Sequence, residues 1–152
     1  MHLRTGVYTL LLIVLPSTVT TAFAAPPTEA CTVLTAAQVS SALGSSVGEG
    51  TYIMPTFKKT CTWNIPTGGA VTLQLQSLDQ FNAGKGALAS RERASTSGVG
   101  DEAYYLGLGT TTGLVVKKGE GAFKISVYSS SLPLDQRKTI EKALAQQVLA
   151  KF

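Results

Sequence analysis

The stretch KTCTWNIPTGGAVTLQLQS, residues 59–77, decides the fold. From Lys59 to Ile65, Cys61, Trp63 and Ile65 fall on one side and Thr60, Thr62 and Asn64 on the other. That alternation is a strand with one buried face, because successive side chains of a strand point opposite ways. Pro66-Thr67-Gly68-Gly69 has the composition of a turn. From Ala70 to Ser77 the alternation resumes, with Val71, Leu73 and Leu75 inward and Thr72, Gln74 and Gln76 outward. The two segments predict a hairpin with a dry face and a wet face, and a dry face has to be covered by another layer.

Working outward, Thr51 to Met54 predicts a short strand stopped by Pro55. Before it, Thr35 and Gln38 have the spacing of a capping box, Leu34 and Val39 that of a hydrophobic staple, and Gly44 that of a left-handed C-terminal residue. A helix over 36–43 follows, burying Val39, Ala42 and Leu43. After the hairpin, Asp79 is placed to cap a second helix running to about Leu88, with Phe81, Lys85 and Leu88 on one side and Gly84 and Gly86 weakening it. Residues 89–97 read as a polar connection. Glu102 to Leu106 predicts a strand after the Gly98-Val99-Gly100-Asp101 turn, and residues 107–113 a small-residue loop. Leu114 to Lys117 and Ala122 to Tyr128 predict a second hairpin about Lys118-Gly119-Glu120-Gly121. The last helix carries Pro133 and Asp135 at its start, Lys151 at its end, and a stripe of Ile140, Ala143, Leu144 and Val148. The expectation is therefore an α+β domain: a curved antiparallel sheet of five to six strands with three helices, in the order α-βββ-α-βββ-α.

The chain has 152 residues, enough for one domain. Residues 1–24 have the pattern of a secretory signal: Arg4, an apolar run from Val7 to Leu15, Pro16, and then Ala22-Phe23-Ala24 before Ala25. The run is about half the length needed to span a bilayer. The expected organisation is a cleaved leader over 1–24, a flexible lead-in over 25–30 containing Pro26-Pro27, and one domain over 31–152. The product would be periplasmic or secreted, with no stable membrane anchor after cleavage. Cys31 follows Thr28-Glu29-Ala30, too far from the apolar run and too polar for lipid attachment.

Cys31 and Cys61 are the two cysteines. In an oxidising compartment a pair in a small domain usually forms a disulfide; two free thiols or a metal pair are the other readings. The one histidine, His2, lies in the leader, and two cysteines with no histidine make a poor zinc site.

Three segments resemble small exported bacterial domains of unknown function, many of them actinobacterial lipoproteins with a C-x-L-L-T-x-x-E-V opening and a following L-G. They are Cys31-Thr32-Val33-Leu34-Thr35-Ala36-Ala37-Gln38-Val39 with Leu43-Gly44, then Cys61-Thr62-Trp63, then Gly98-Val99-Gly100-Asp101-Glu102-Ala103-Tyr104. The resemblance covers about residues 31–152. It departs from the lipoprotein members in lacking a lipid-attachment cysteine. It implies an α+β domain with a Cys31–Cys61 disulfide and no established activity.

Function is narrowed mostly by exclusion. Without a histidine in the mature chain, Ser-His-Asp and Cys-His mechanisms and histidine metal centres are not expected. Gly107-Leu108-Gly109 lacks the setting of a phosphate loop, and no calcium loop is present. No cofactor or metal is expected. The formal net charge is +4, and +3 without Arg4, too mild for nucleic acid. Lys58, Lys59, Lys117, Lys118 and Lys124 could meet at one hairpin end and attract an anionic envelope surface, or serve as ordinary solubilising charges. The leading expectation is a non-catalytic exported module that binds an envelope or extracellular protein or polymer. The alternative is a glycan hydrolase, which needs two facing acids among Glu49, Asp79, Glu92, Asp101, Glu102, Glu120, Asp135 and Glu141. Asp101 is expected to cap a turn and Glu102 to be solvated. The candidate binding face is Thr60, Thr62, Asn64, Thr72, Gln74 and Gln76, with whichever of Tyr104 and Tyr105 is exposed as a stacking ring. Such a face also has the composition of an idle solvated one.

Overall fold

The hairpin read from residues 59–77 forms, and its dry face is the middle of the core. In the computed structural model, which describes residues 25–87, 93–108 and 111–152, β2 (Phe57–Asn64) runs antiparallel to β3 (Ala70–Gln76). Cys61 stands opposite Leu73 and Trp63 opposite Val71, and all four are buried. Gly68 and Gly69 turn the chain with φ of 104° and 113°, a region that glycine enters without steric cost. At Gly69 a side-chain carbon would stand 2.1 Å from the Tyr128 carbonyl oxygen.

Among the described residues the sheet has seven antiparallel strands. On the free side of β2 lies β1 (Thr51–Met54). Beyond β3 come β7 (Gly121–Tyr128), β6 (Thr111–Lys118), β5 (Glu102–Leu108) and β4 (Arg93–Thr96). Two meanders, β1–β2–β3 and β4–β5–β6–β7, meet along the β3–β7 pair from Ala70 opposite Tyr128 to Gln76 opposite Ala122.

The front face carries Cys61, Trp63, Val71, Leu73, Phe123, Ile125, Val127, Leu114 and Val116, all buried. Helix α3 (Leu134–Leu149) covers β6 and β7 and packs on α1 (Ala36–Leu43). The capping box forms: the Gln38 amide donates to Thr35 Oγ1 at 3.2 Å and the Thr35 amide to Gln38 Oε1 at 2.9 Å. Gly44 ends the helix at φ 72°. A disulfide joins Cys31, in the 3-10 turn Ala30–Thr32, to Cys61, with Cα atoms 5.0 Å apart. It staples the helical layer to the sheet.

The fold class is as expected, with seven strands in place of five to six and several differences of detail. Residues 107–108 and 111–113, expected as a loop, extend β5 and β6, because Gly107 pairs with Thr112 and Leu108 with Thr111. Part of the polar 89–97 connection is strand β4, since Arg93 to Thr96 finds hydrogen-bonding partners on the free edge of β5. Helix α2 (Leu78–Ala87) is capped by Ser77 rather than Asp79: the Gln80 amide donates to Ser77 Oγ and the Ser77 amide to Gln80 Oε1. Its expected contact Leu88 lies outside the described residues, as does the leader over 1–24. On α3, Ala143 is exposed, because the buried stripe of Ile140, Leu144, Ala145 and Val148 is centred away from it and also takes in Arg137 and Glu141. In the lead-in, Pro26 and Pro27 are half-buried, and Lys58 and Tyr52 both donate to the Glu29 carboxylate.

Candidate functional site

The candidate face is the back of the sheet. Its rows follow from the register: Asn64 beside Ala70 and Tyr128, Thr62 beside Thr72 and Ser126, Thr60 beside Gln74 and Lys124. The six predicted residues of β2 and β3 do share this face. Asn64 is exposed, Thr62, Thr72, Gln74 and Gln76 are half-buried and Thr60 is buried. The Gln76 amide donates to Gln74 Oε1 at 3.4 Å.

Neither predicted tyrosine stands clear as a stacking ring. Tyr104 is on the back face but beneath α2, its ring 5.1 Å from that of Phe81 and its hydroxyl donating to the Phe81 carbonyl at 2.8 Å. Phe81, Tyr104, Val115 and Ala122 form a second apolar cluster there. Tyr105 faces the other way. Its hydroxyl donates to the Lys138 carbonyl at 3.1 Å, and Lys138 Nζ lies 5.5 Å from its ring. The burial of Tyr104 has a tertiary cause: α2 needs apolar support on the sheet, and the β5–β7 end supplies it.

The exposed ring of this face is Tyr128, 61% accessible. Its signal was present in the sequence, for the alternation that sends Phe123, Ile125 and Val127 inward sends Lys124, Ser126 and Tyr128 outward. Beside it the sheet opens. The β6–β7 pairing runs from Lys118 opposite Gly121 to Leu114 opposite Ile125. Past that point β6 stays on β5, with Gly113 opposite Leu106 and Gly107 opposite Thr112, and β7 stays on β3, with Val127 opposite Val71. A cavity of about 320 Å³ lies at the parting, with Leu106, Gly107 and Thr111 to Gly113 on one bank and Lys124 and Ser126 to Tyr128 on the other. Gly113 keeps it open, since a side-chain carbon there would stand 2.6 Å from Ser126 Oγ and 3.5 Å from the Lys124 stem.

From the front, Glu141 of α3 reaches into the same parting. Its Oε1 accepts from the Val127 amide at 3.0 Å and its Oε2 is 3.4 Å from Thr112 Oγ1. The residue is completely buried. Burial pushes its carboxyl up to about 7, against the opposing pull of those two donors and of Arg137 and Lys138. The i, i+3, i+4 spacing of Arg137, Ile140, Glu141 and Leu144 could have flagged it, because a glutamate in an apolar stripe must find polar partners.

Three ion pairs form among the described residues. Lys58 pairs with Glu29, Lys118 with Asp101 at 2.9 Å and Lys85 with Glu102. Of the expected lysine cluster, Lys58 and Lys118 are thus each taken up by a different acid, and Glu102 is bonded rather than merely solvated. Asp101 caps the β6–β7 turn as expected: the Gly119 amide donates to Oδ2 at 2.7 Å and Lys118 to Oδ1. These two donors hold its carboxyl below the usual range. Asp101 and Glu120 line one cavity of about 450 Å³ with Pro26, Lys118 and Phe152. Glu49, Asp79 and Asp135 are exposed, and Glu92 lies outside the described residues. Among the described residues, no three His, Cys, Asp or Glu side chains group to hold a metal ion.

Compared with family models, with curated proteins and with solved structures, the chain matches none.

Proposed function

We propose that the chain is exported, loses residues 1–24, and acts as a non-catalytic module that holds an envelope or extracellular partner against the back of its sheet. The observation that carries this reading is the asymmetry of the sheet. Helices α1 and α3 close the front, α2 covers the end of the back around Phe81, and beside it remain the exposed Asn64, the half-buried Thr72 and Gln74 and the exposed Tyr128 ring. Rigid polar groups held on strands, with an aromatic at their margin, suit recognition of a polar surface. The leader pattern supports export, and so does the disulfide, which persists in oxidising compartments. The resemblance to small exported bacterial domains points the same way.

The hydrolase reading has weaker support. Asp101 and Glu120 do share a cavity, but a glycan hydrolase needs one carboxyl kept protonated near neutral pH. Both Asp101 oxygens are engaged by donors that favour its charged form. The carboxyl that is raised, Glu141, is sealed from solvent.

Expression with the leader, followed by mass spectrometry, should give Ala25 as the first residue of the exported product. That product should be retained on envelope material, and the Gln74→Ala/Gln76→Ala variant should be retained less while melting as a folded protein. A retained Met1, or unchanged retention of the folded variant, would count against the reading.

A further inference from the structure

We infer that the parting between β6 and β7 is a sugar site, with Tyr128 as the stacking ring and Lys124 as the partner of a sugar carboxylate, so that the ligand is an acidic glycan. The inference deepens the binding-module reading and rests on it.

Three features of the parting lead there. The first is size and shape. About 320 Å³ is at the small end of ligand pockets, sufficient for a single pyranose ring, and its lining residues Ser126 and Lys124 belong to the open face, beside Thr72 and Gln74, along which a polymer could continue. The second is the lining. A pyranose presents an apolar patch of C–H bonds on one face and hydroxyls around its rim. Tyr128 offers an accessible aromatic surface for the patch, and Ser126 and Thr111 supply hydroxyls at the rim. The third is charge. Lys124 lines the parting, its register neighbours are Gln74 and Val115, and no carboxylate pairs with it among the described residues. Lys118 and Lys85, by contrast, are each bonded to an acid. A cation at a sugar-sized cavity selects a carboxylated ring over a neutral one through a charge-assisted hydrogen bond.

The architecture itself keeps the strands apart. Two strands that part in a sheet leave backbone groups without partners, and buried ones must be satisfied. Glu141 meets that need by accepting from the Val127 amide. Gly113 leaves the floor bare where any side chain would press on Ser126 and the Lys124 stem. A carboxylate on the front and a glycine on the back thus maintain one cavity.

The test is a titration of the isotope-labelled mature protein with two probes, a galacturonic acid tetramer and cellotetraose, followed through backbone amide shifts. The acidic tetramer should bind more tightly, with shifts concentrated in residues 111–113 and 124–128. Tyr128→Ala, at an exposed position, should weaken both probes about tenfold. Lys124→Gln should weaken the acidic tetramer about fivefold and leave cellotetraose within about twofold. Absence of shifts with either probe up to about 10 mM would overturn the inference, as would wild-type affinity in Tyr128→Ala or an undiminished acid preference in Lys124→Gln. Retention of the wild type on envelope material, alongside any of those results, would leave the module reading standing and remove the sugar site alone.

Discussion

Glu141→Gln should make this protein more stable above neutral pH, although it alters the best-bonded carboxylate of the core. Glu141 is completely buried, with the Val127 amide on one oxygen and Thr112 Oγ1 near the other. The charged groups about it are Arg137 and Lys138 on its own helix, and Tyr105 of β5 is the titratable group across the packing. Its carboxyl rises from an ordinary 4.5 to about 7 because burial opposes the charge. Between those two values the unfolded chain has released the proton and the folded chain still holds it, so stability falls as pH rises. Each pH unit of that window is worth about 1.4 kcal/mol, which caps the loss near 3 kcal/mol. Glutamine keeps the shape, its oxygen accepts from Val127 and its amide can donate to Thr112, with no charge to bury. Urea unfolding at intervals from pH 4.5 to 8.5 should show the wild type losing about 2–3 kcal/mol and the variant staying level, the two curves converging at the acid end. Glu29 and Asp101, whose carboxyls lie below the usual range, act with the opposite sign at lower pH, are present in both proteins, and cancel in the difference. A variant less stable than the wild type at pH 8, or parallel curves, would refute the reasoning.

Two further outcomes test the fold. Changing both Cys31 and Cys61 to serine should cost about 3–4 kcal/mol, the effect of a loop of this length on the unfolded chain, and lower the thermal midpoint by about 10–20 °C; a free-thiol assay on the native exported protein should find none. Gly50→Ala places a methyl 2.7 Å from Trp63 Nε1 and 2.8 Å from Cys61 Sγ, and should cost about 1–3 kcal/mol with a visible change in near-ultraviolet circular dichroism, Trp63 being the reporter.

What the sequence determined by itself was local. The 59–77 hairpin follows from period-two alternation on either side of a Pro-Gly turn, and α1 follows from Thr35, Gln38 and Gly44, each of which bonds a residue three or four positions away. The pairing of Cys31 with Cys61 was legible for a different reason: with two cysteines, chemistry leaves a single intramolecular disulfide. The tertiary structure decided whatever depends on which elements become neighbours. Strand β4 looks like a polar loop until β5 offers an edge to it. Tyr104 and Tyr105 alternate as expected, yet α2 covers one and α3 takes the other, so the exposed ring is Tyr128, on a strand that lies beside β3 only because the second meander returns to the first. The cavity has the same origin. It exists because β6 follows β5 while β7 follows β3, and no window of sequence contains both choices. Glu141 shows the limit most clearly, since a glutamate in an apolar stripe signals a buried acid, but its partners, Val127 and Thr112, become its partners only where two strands separate in space.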